Sequence, residues 1–318
     1  PVMWVVYSWM GLAFYLLVLV APADLGRTVF GWFKRDAMDP ARRQTLARIV
    51  SAAVGFGGFG IAGTALFTAM RPVAVKRLRV RLAKLPASMD GFTIVQLTDI
   101  HVGPTIGKTF LDDVVARTNA LRPDLVAITG DLVDGSVAEL APLVEGLRGL
   151  RATHGVYFVT GNHEYYSGVD EWLAHLRTLG IRVLRNERVA IGGEGGEGFD
   201  LAGVDDLHAH RFGHGHGMDF TRIVAGRDAS RALVLLAHQP GAVEDAAPHG
   251  VDFQLSGHTH GGQIYPFTYL VQLQQRYIAG MYRHLGAQLY VSCGTGYWGP
   301  PMRLAAPAEI TQVTLSRG

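Results

Sequence analysis

The hydrophobic pattern divides the chain near residue 85. Val2 to Val20 is almost continuously apolar, and no charge occurs before Asp24. A second uncharged run of 22 residues extends from Ile49 to Met70, bounded by Arg48 and Arg71. At about 1.5 Å per residue it spans about 33 Å, enough for a hydrocarbon core of about 30 Å. The two runs predict transmembrane helices over about 2–21 and 49–70. Gly55, Gly57, Gly58, Gly60 and Gly63 lie in the second run between Phe56 and Phe59. No strand precedes them, so close approach of membrane helices explains them better than a dinucleotide loop. From Val73 to Leu85 apolar and basic residues partly alternate, which predicts a strand with one basic face turned to anionic headgroups or to water.

Beyond Pro86 short apolar runs alternate with helical patterns. The runs are Phe92–Leu97, Leu125–Thr129, Val156–Thr160, Ala232–Leu236, Val251–Leu255 and Leu289–Ser292, with helices near 109–121, 138–150, 169–180 and 241–247. Such alternation predicts α/β architecture with ligands beyond the strand ends. The expected organisation is a membrane region over 1–85, comprising two helices, a basic loop and a basic linker strand, then one catalytic domain over 86–318.

Composition sharpens this division. Residues 1–85 hold 12 Lys/Arg against 3 Asp/Glu, and residues 86–318 hold 17 against 24. An acidic catalytic part argues against a nuclease, and no nucleic-acid partner is expected. The single cysteine, Cys293, excludes an internal disulfide and a thiolate metal site. The chain opens on Pro1 rather than Met, so its natural start is expected upstream or processed away. Basic residues flank the second apolar run on both sides, and charge alone leaves its orientation open. Arg42-Arg43-Gln44-Thr45-Leu46 resembles a twin-arginine export signal, which favours a catalytic part outside the cytoplasm.

The strand ends carry the chemistry. Five successive strands run into Asp99-Ile100-His101, Gly130-Asp131-Leu132-Val133-Asp134, Gly161-Asn162-His163-Glu164, His238 and Gly257-His258-Thr259-His260. Glycines at 130, 161 and 257 allow tight turns that let these side chains converge. Carboxylate, imidazole and amide donors without sulfur suit two ions of Mn, Fe or Zn. Two such ions about 3.5–4 Å apart hold a bridging hydroxide and clamp a phosphoryl oxygen for in-line attack.

These motifs, in this order, resemble the calcineurin-like metallophosphoesterase superfamily. The resemblance implies a four-layer αββα sandwich preceded here by transmembrane helices. It also implies that Asp99, His101 and His260 hold one metal, that Asn162, His238 and His258 hold the second, and that Asp131 bridges both. His163 would be catalytic, and Asp134 and Glu164 would orient a ligating or catalytic histidine. The runs Gly257–Gln263 and Gly296–Pro301 are similar to a membrane-linked bacterial branch. That branch implies an exported phosphodiesterase, or a pyrophosphatase acting on UDP-2,3-diacylglucosamine at the cytoplasmic face.

The leading expectation is a membrane-anchored phosphoesterase of the bacterial inner membrane. Its cofactors would be two divalent ions, with manganese favoured, and its partners membrane lipids and a phosphate ester that is lipid-linked or membrane-proximal. The alternatives are the UDP-lipid pyrophosphatase and a non-catalytic metal-bound scaffold. Arg303 is a candidate phosphate contact, and Tyr297 and Trp298 are candidates for an apolar substrate wall. His208, His210, His214 and His216 form a second cluster, to be a loop over the site, a secondary metal site or a polar surface loop. Asp205 and Asp206, after the strand-like Phe199–Val204, could reach the centre.

Overall fold

A computed structural model describes residues 2–33, 39–192 and 197–318. The chain forms two compact units, one of residues 1–71 with Gly299–Leu304, the other of residues 72–298 with 305–318.

In the first unit α1 (Val2–Phe33) pairs with α2 (Pro40–Ala69). Both are long and apolar enough to cross a membrane. Bulky apolar residues such as Val2, Trp9, Leu17, Phe56, Phe59 and Phe67 are exposed around them, as suits helices whose solvent is lipid. The helices outrun the expected spans. Asp39 caps α2 by accepting from the Arg42 N–H (3.4 Å) and Pro40 follows in the first turn, so Arg42, Arg43 and Arg48 are helical. Lys34 and Arg35 of the expected basic loop lie outside the described residues. Gly57 and Gly58 face Leu19 and Leu16 of α1 and so serve close helix approach, whereas Gly55, Gly60 and Gly63 have no neighbour at their Cβ positions. The segment Gly299–Leu304 joins this unit through the Arg303 N–H, which donates to the Ala65 carbonyl (2.9 Å).

The second unit contains two six-stranded sheets. The first has the order β1 (Ala74–Leu82), β12 (Glu309–Arg317), β2 (Thr93–Leu97), β3 (Leu125–Thr129), β4 (Val156–Val159) and β5 (Arg182–Val183). The second has the order β10 (Gly280–His284), β11 (Ala287–Val291), β9 (Phe253–Ser256), β8 (Leu233–Leu236), β7 (Gly198–Gly203) and β6 (Glu187–Gly192). Helices α3 (Lys108–Ala120), α4 (Val137–Val144), α5 (Asn162–Tyr166) and α6 (Val169–Thr178) follow strands of the first sheet. Helices α7 (Phe220–Val224), α8 (Val243–Ala246) and α9 (Thr268–Gln274) belong to the second half.

One core lies between the sheets. Ile94, Leu125, Ala127 and Val159 meet Leu201, Val234, Leu236, Phe253 and Leu255. Leu233 and Leu235, on the opposite face of β8, pack with Phe220, Ile223 and Ala246 of α7 and α8. Both faces of the inner strands are therefore covered, which is why they read as unbroken apolar runs. The result is the expected four-layer αββα sandwich.

The strand expected as a basic linker is the edge of the first sheet. Ala74–Leu82 pairs in parallel with Glu309–Arg317, so the sheet begins well before residue 86. Two of its basic side chains are tied locally: Lys76 lies 3.5 Å from Glu309, and Arg77 donates to Gln312 (3.1 Å).

Candidate metal centre

Parallel pairing of β2, β3 and β4, and of β8 and β9, brings the carboxyl ends of five strands together. The loops then lock to one another. The Asp99 N–H donates to the Gly130 carbonyl (3.0 Å), the His101 N–H to the Asp131 carbonyl (3.1 Å), and the Gly257 N–H to the His238 carbonyl (2.9 Å). Gly161 and Gly257 act differently from expectation. Neither needs a positive φ; each leaves space that a Cβ would fill, against Asp131 at Gly161 and against Asp99 and Thr98 at Gly257.

Two groups of donor atoms converge. In the first, His101 Nε2 lies 3.0 Å from His260 Nε2, and His260 Nε2 lies 3.5 Å from Asp99 Oδ1. In the second, His238 Nε2 lies 3.0 Å from Asp131 Oδ2 and 3.2 Å from His258 Nδ1. Asp131 Oδ2 is also 4.0 Å from His101 Nε2, so this carboxylate stands between the groups.

Hydrogen bonds to the other ring nitrogens fix which atoms face inward. The Thr129 carbonyl can only accept, so His238 donates to it from Nδ1 (2.8 Å) and turns Nε2 to the centre. Asp134 Oδ1 accepts from Nδ1 of both His101 (3.0 Å) and His163 (2.6 Å), directing both Nε2 atoms to the centre. His101, Asp134 and His163 also lie close enough to count as a ligand group. Because Asp134 binds the outward nitrogens, it serves as their anchor.

The residues present fit a pair of cations. Facing imidazole nitrogens 3.0 and 3.2 Å apart suit a shared positive charge. Asn162 Oδ1, buried, has no hydrogen-bond partner among the described residues, an acceptor left for a ligand. Asp99, His101, Asp131, His258 and His260 all adopt positive φ, from 51° to 72°. Strain of this kind, about 1–3 kcal/mol per residue, persists where the surroundings fix the geometry. His258→Gly should therefore unfold at higher urea than His258→Ala, by about 1 kcal/mol. Equal midpoints would show that the backbone at 258 carries no strain.

The electrostatics separate the groups. Burial opposes ionisation of Asp131, yet the adjacent His238 holds its carboxyl well below the usual range. Burial raises Asp134, but hydrogen bonds from His101 and His163 outweigh it and hold it at about 2. For His163 burial is overcome by the Asp134 hydrogen bond and the charges of Asp131, Asp134 and Glu164, raising it to about 9. Burial, then the neighbouring His238, lowers His258 to about 3.

Glu164 does not orient a histidine. Fully buried, it accepts from the backbone N–H groups of Gly161 (2.7 Å), Leu132 (2.7 Å) and Asp131 (3.0 Å), stitching two ligand loops together. Burial and the Asp131 charge raise its pKa to about 7 against those bonds.

The remaining candidates divide. Trp298 is exposed with its ring 5.8 Å from that of His163. Tyr297 is buried and donates to the Thr105 carbonyl (3.2 Å), so it packs the fold instead of walling a pocket. Arg303 falls in the helix unit and is not assigned to the centre. The loop after β7 is pinned: Arg185 makes a bidentate pair with Asp205, and Gln239, beside His238, donates to both Asp206 oxygens (3.0 Å) and lies 3.0 Å from His208 Nδ1. His208, His210, His214 and His216 form no ligand group among the described residues. Sequence reasoning missed Tyr166, 5.5 Å from His163, and Phe212, 5.5 Å from Tyr166. With Trp298 they make an open aromatic rim. The position of Tyr166, two residues beyond the Gly-Asn-His-Glu run, was the available signal.

Comparison with known proteins agrees with this geometry. The calcineurin-like phosphoesterase profile matches residues 92–262, which span β2 and the last candidate ligand, His260. An uncharacterized metallophosphoesterase of Helicobacter pylori strain J99 is 37% identical over 278 residues, covering 87% of this chain and 73% of that protein. The chain belongs to the calcineurin-like metallophosphoesterase family. Membership bears out the expected family, and the structure supplies candidate ligands for two ions. A bovine transmembrane protein with metallophosphoesterase domain is 42% identical over 285 residues, 86% of this chain and 63% of that protein. The chain spans less than two thirds of the bovine and zebrafish relatives, 63% of each. Among solved structures, a 5'-nucleotidase precursor of Thermus thermophilus shares 18% identity with a TM-score of 0.42, over 70% of this chain and 54% of that one. That likeness is too distant to inform function.

Proposed function

We propose that the chain is a membrane-anchored phosphoesterase with a dinuclear centre, hydrolysing a phosphodiester or pyrophosphate bond of a lipid-linked or membrane-proximal substrate. The observation that carries this reading is Asp131 Oδ2 standing between the two ligand groups while Asn162 Oδ1 is buried without a partner. Asp99, His101 and His260 would hold one ion, Asn162, His238 and His258 the other, and Asp131 both. The sulfur-free donor set suits manganese, iron or zinc, with manganese first. Bound there, the ions would supply Lewis acidity toward the phosphoryl group and a water acidic enough to attack at neutral pH.

The chain's own residues do the rest. Asp134 holds His101 and His163 by their Nδ1 atoms and so fixes both rings. The Asp134 carboxylate accepts from His163 Nδ1 and favours the protonated ring, which from Nε2 can protonate the leaving oxygen. Tyr166 and Trp298 form a rim for the apolar part of a substrate. His163→Asn should slow an alkyl diester by about 10²–10⁴-fold and bis-p-nitrophenyl phosphate far less, since p-nitrophenolate leaves without a proton. Equal losses on both substrates would refute the acid role.

Arg42-Arg43 in the first turn of α2 supports export, with the chain in a bacterial inner membrane and its catalytic unit outside. Protease added to intact spheroplasts, followed with an antibody to the C-terminus, tests this. Cleavage from outside is expected. Cleavage confined to inverted vesicles would overturn the orientation and make UDP-2,3-diacylglucosamine the first substrate to assay.

A further inference from the structure

Between Asp252 and Glu309 the chain contains no acidic residue, whereas residues 86–252 carry 23 Asp/Glu against 13 Lys/Arg. This acid-free stretch begins its surface course directly after the ligand turn at His260. Tyr265, Phe267, Tyr269, Leu270 and Leu273 are all exposed there, Leu273 by 82%. Helix α9, which carries the last three, buries none of its residues. The contrast with α6 is plain: that helix sets Val169, Trp172, Leu173 and Leu176 into the fold, as a surface helix ordinarily does. A seven-residue helix with three bulky apolar side chains in water lacks the packing that normally sustains so short an element.

We propose that α9 and the Tyr265–Phe267 turn form an interfacial collar that docks on the headgroup region of an anionic lipid bilayer. Aromatic and leucine side chains beside glutamines (Gln272, Gln274, Gln275) are the composition that settles at the boundary between headgroups and acyl chains. The charge agrees: Arg276, 3.5 Å from Glu244, and Arg283 are exposed within the stretch, and the stretch itself contains no carboxylate to oppose an anionic surface. Four residues separate the end of α2 at Ala69 from the start of β1 at Ala74, so the second unit is tethered to any bilayer that α2 crosses. A lipid surface therefore fits this face better than a protein partner.

The collar is joined to the metal centre. A Cβ at Gly262 would meet the Thr268 backbone, so the ligand turn and α9 are in direct contact. Gln263 clamps Trp298 from both sides: its Nε2 donates to the Trp298 carbonyl and its Oε1 accepts from the Trp298 N–H, both at 2.9 Å. Trp298 in turn borders His163. Docking would thus hold the centre at headgroup level, where a lipid-linked phosphate is presented. This last step rests on the phosphoesterase reading; the docking itself does not.

The test uses the full chain in vesicles of phosphatidylethanolamine and phosphatidylglycerol, with a spin label at Leu273→Cys and, as control, at the exposed Lys108→Cys of α3. The native Cys293 is buried. The Leu273 label is expected to collide more readily with oxygen than with a water-soluble nickel chelate, and the Lys108 label the reverse. In parallel, Leu270→Glu with Leu273→Glu should raise KM for a vesicle-borne phosphodiester by about tenfold while leaving soluble bis-p-nitrophenyl phosphate unaffected. A Leu273 label as open to nickel as Lys108, or shielded from both reagents as in a protein contact, would overturn the proposal. Because label depth needs no turnover, a failure of docking is distinguishable from a failure of the phosphoesterase assignment.

Discussion

Asp131→Asn is expected to abolish hydrolysis of a phosphodiester probe, by at least about 10³-fold, or about 4 kcal/mol at 1.36 kcal/mol per decade, while the chain stays folded. Asp131 Oδ2 lies 3.0 Å from His238 Nε2, 3.9 Å from His163 Nε2 and 4.0 Å from His101 Nε2, so one oxygen addresses both halves of the centre. Its other oxygen accepts the His163 N–H (2.9 Å) and holds the loop that carries Asn162 and His163. Asparagine keeps the volume, retains an acceptor and tolerates the φ of 51°, so the backbone has no reason to move. What it removes is the charge that would draw two cations together. Initial rates with matched circular dichroism decide the matter, and wild-type turnover in a folded variant would end the bridging assignment.

Glu164→Ala should be the most destabilising single substitution at the site, by about 3–5 kcal/mol, because three buried backbone donors lose their acceptor together. Against a total stability of about 5–15 kcal/mol for an ordinary domain, that loss approaches unfolding. Glu164→Gln keeps an acceptor oxygen and should lose about half as much. Urea denaturation of the full chain in detergent, followed by tryptophan fluorescence, measures both. A loss below about 1 kcal/mol for the alanine variant would show that the two loops hold their positions without it.

The centre was legible in the sequence for a physical reason. Packing alone does not place Asp, Asn or His at the end of five successive apolar strands, so such residues point to chemistry. The α/β class followed from the same alternation, and the four-layer arrangement from the family resemblance. What escaped were relations that depend on distant partners or on orientation. The pairing of β1 with β12 joins the two ends of the second unit, and Glu309–Arg317 was not among the expected strands. The resemblance implied that Glu164, like Asp134, anchors a histidine. The turn into α5 instead sends its carboxylate back to the Gly161 N–H and across to the Asp131 loop. The helix limits differed because Asp39 and Pro40 start α2 well before its apolar run, and hydropathy registers only the part that lipid would cover. The exposed apolar face of α9 was missed because seven residues are too few to show a period.

The most direct test of a dinuclear centre is to strip the purified full chain with chelator, titrate manganese back, and follow bound metal by mass spectrometry alongside hydrolysis of bis-p-nitrophenyl phosphate. Two ions per chain are expected, with activity rising as the second binds and with Asp131→Asn failing to hold the pair. Full activity in the metal-free chain, or saturation at one ion without loss of rate, would contradict it.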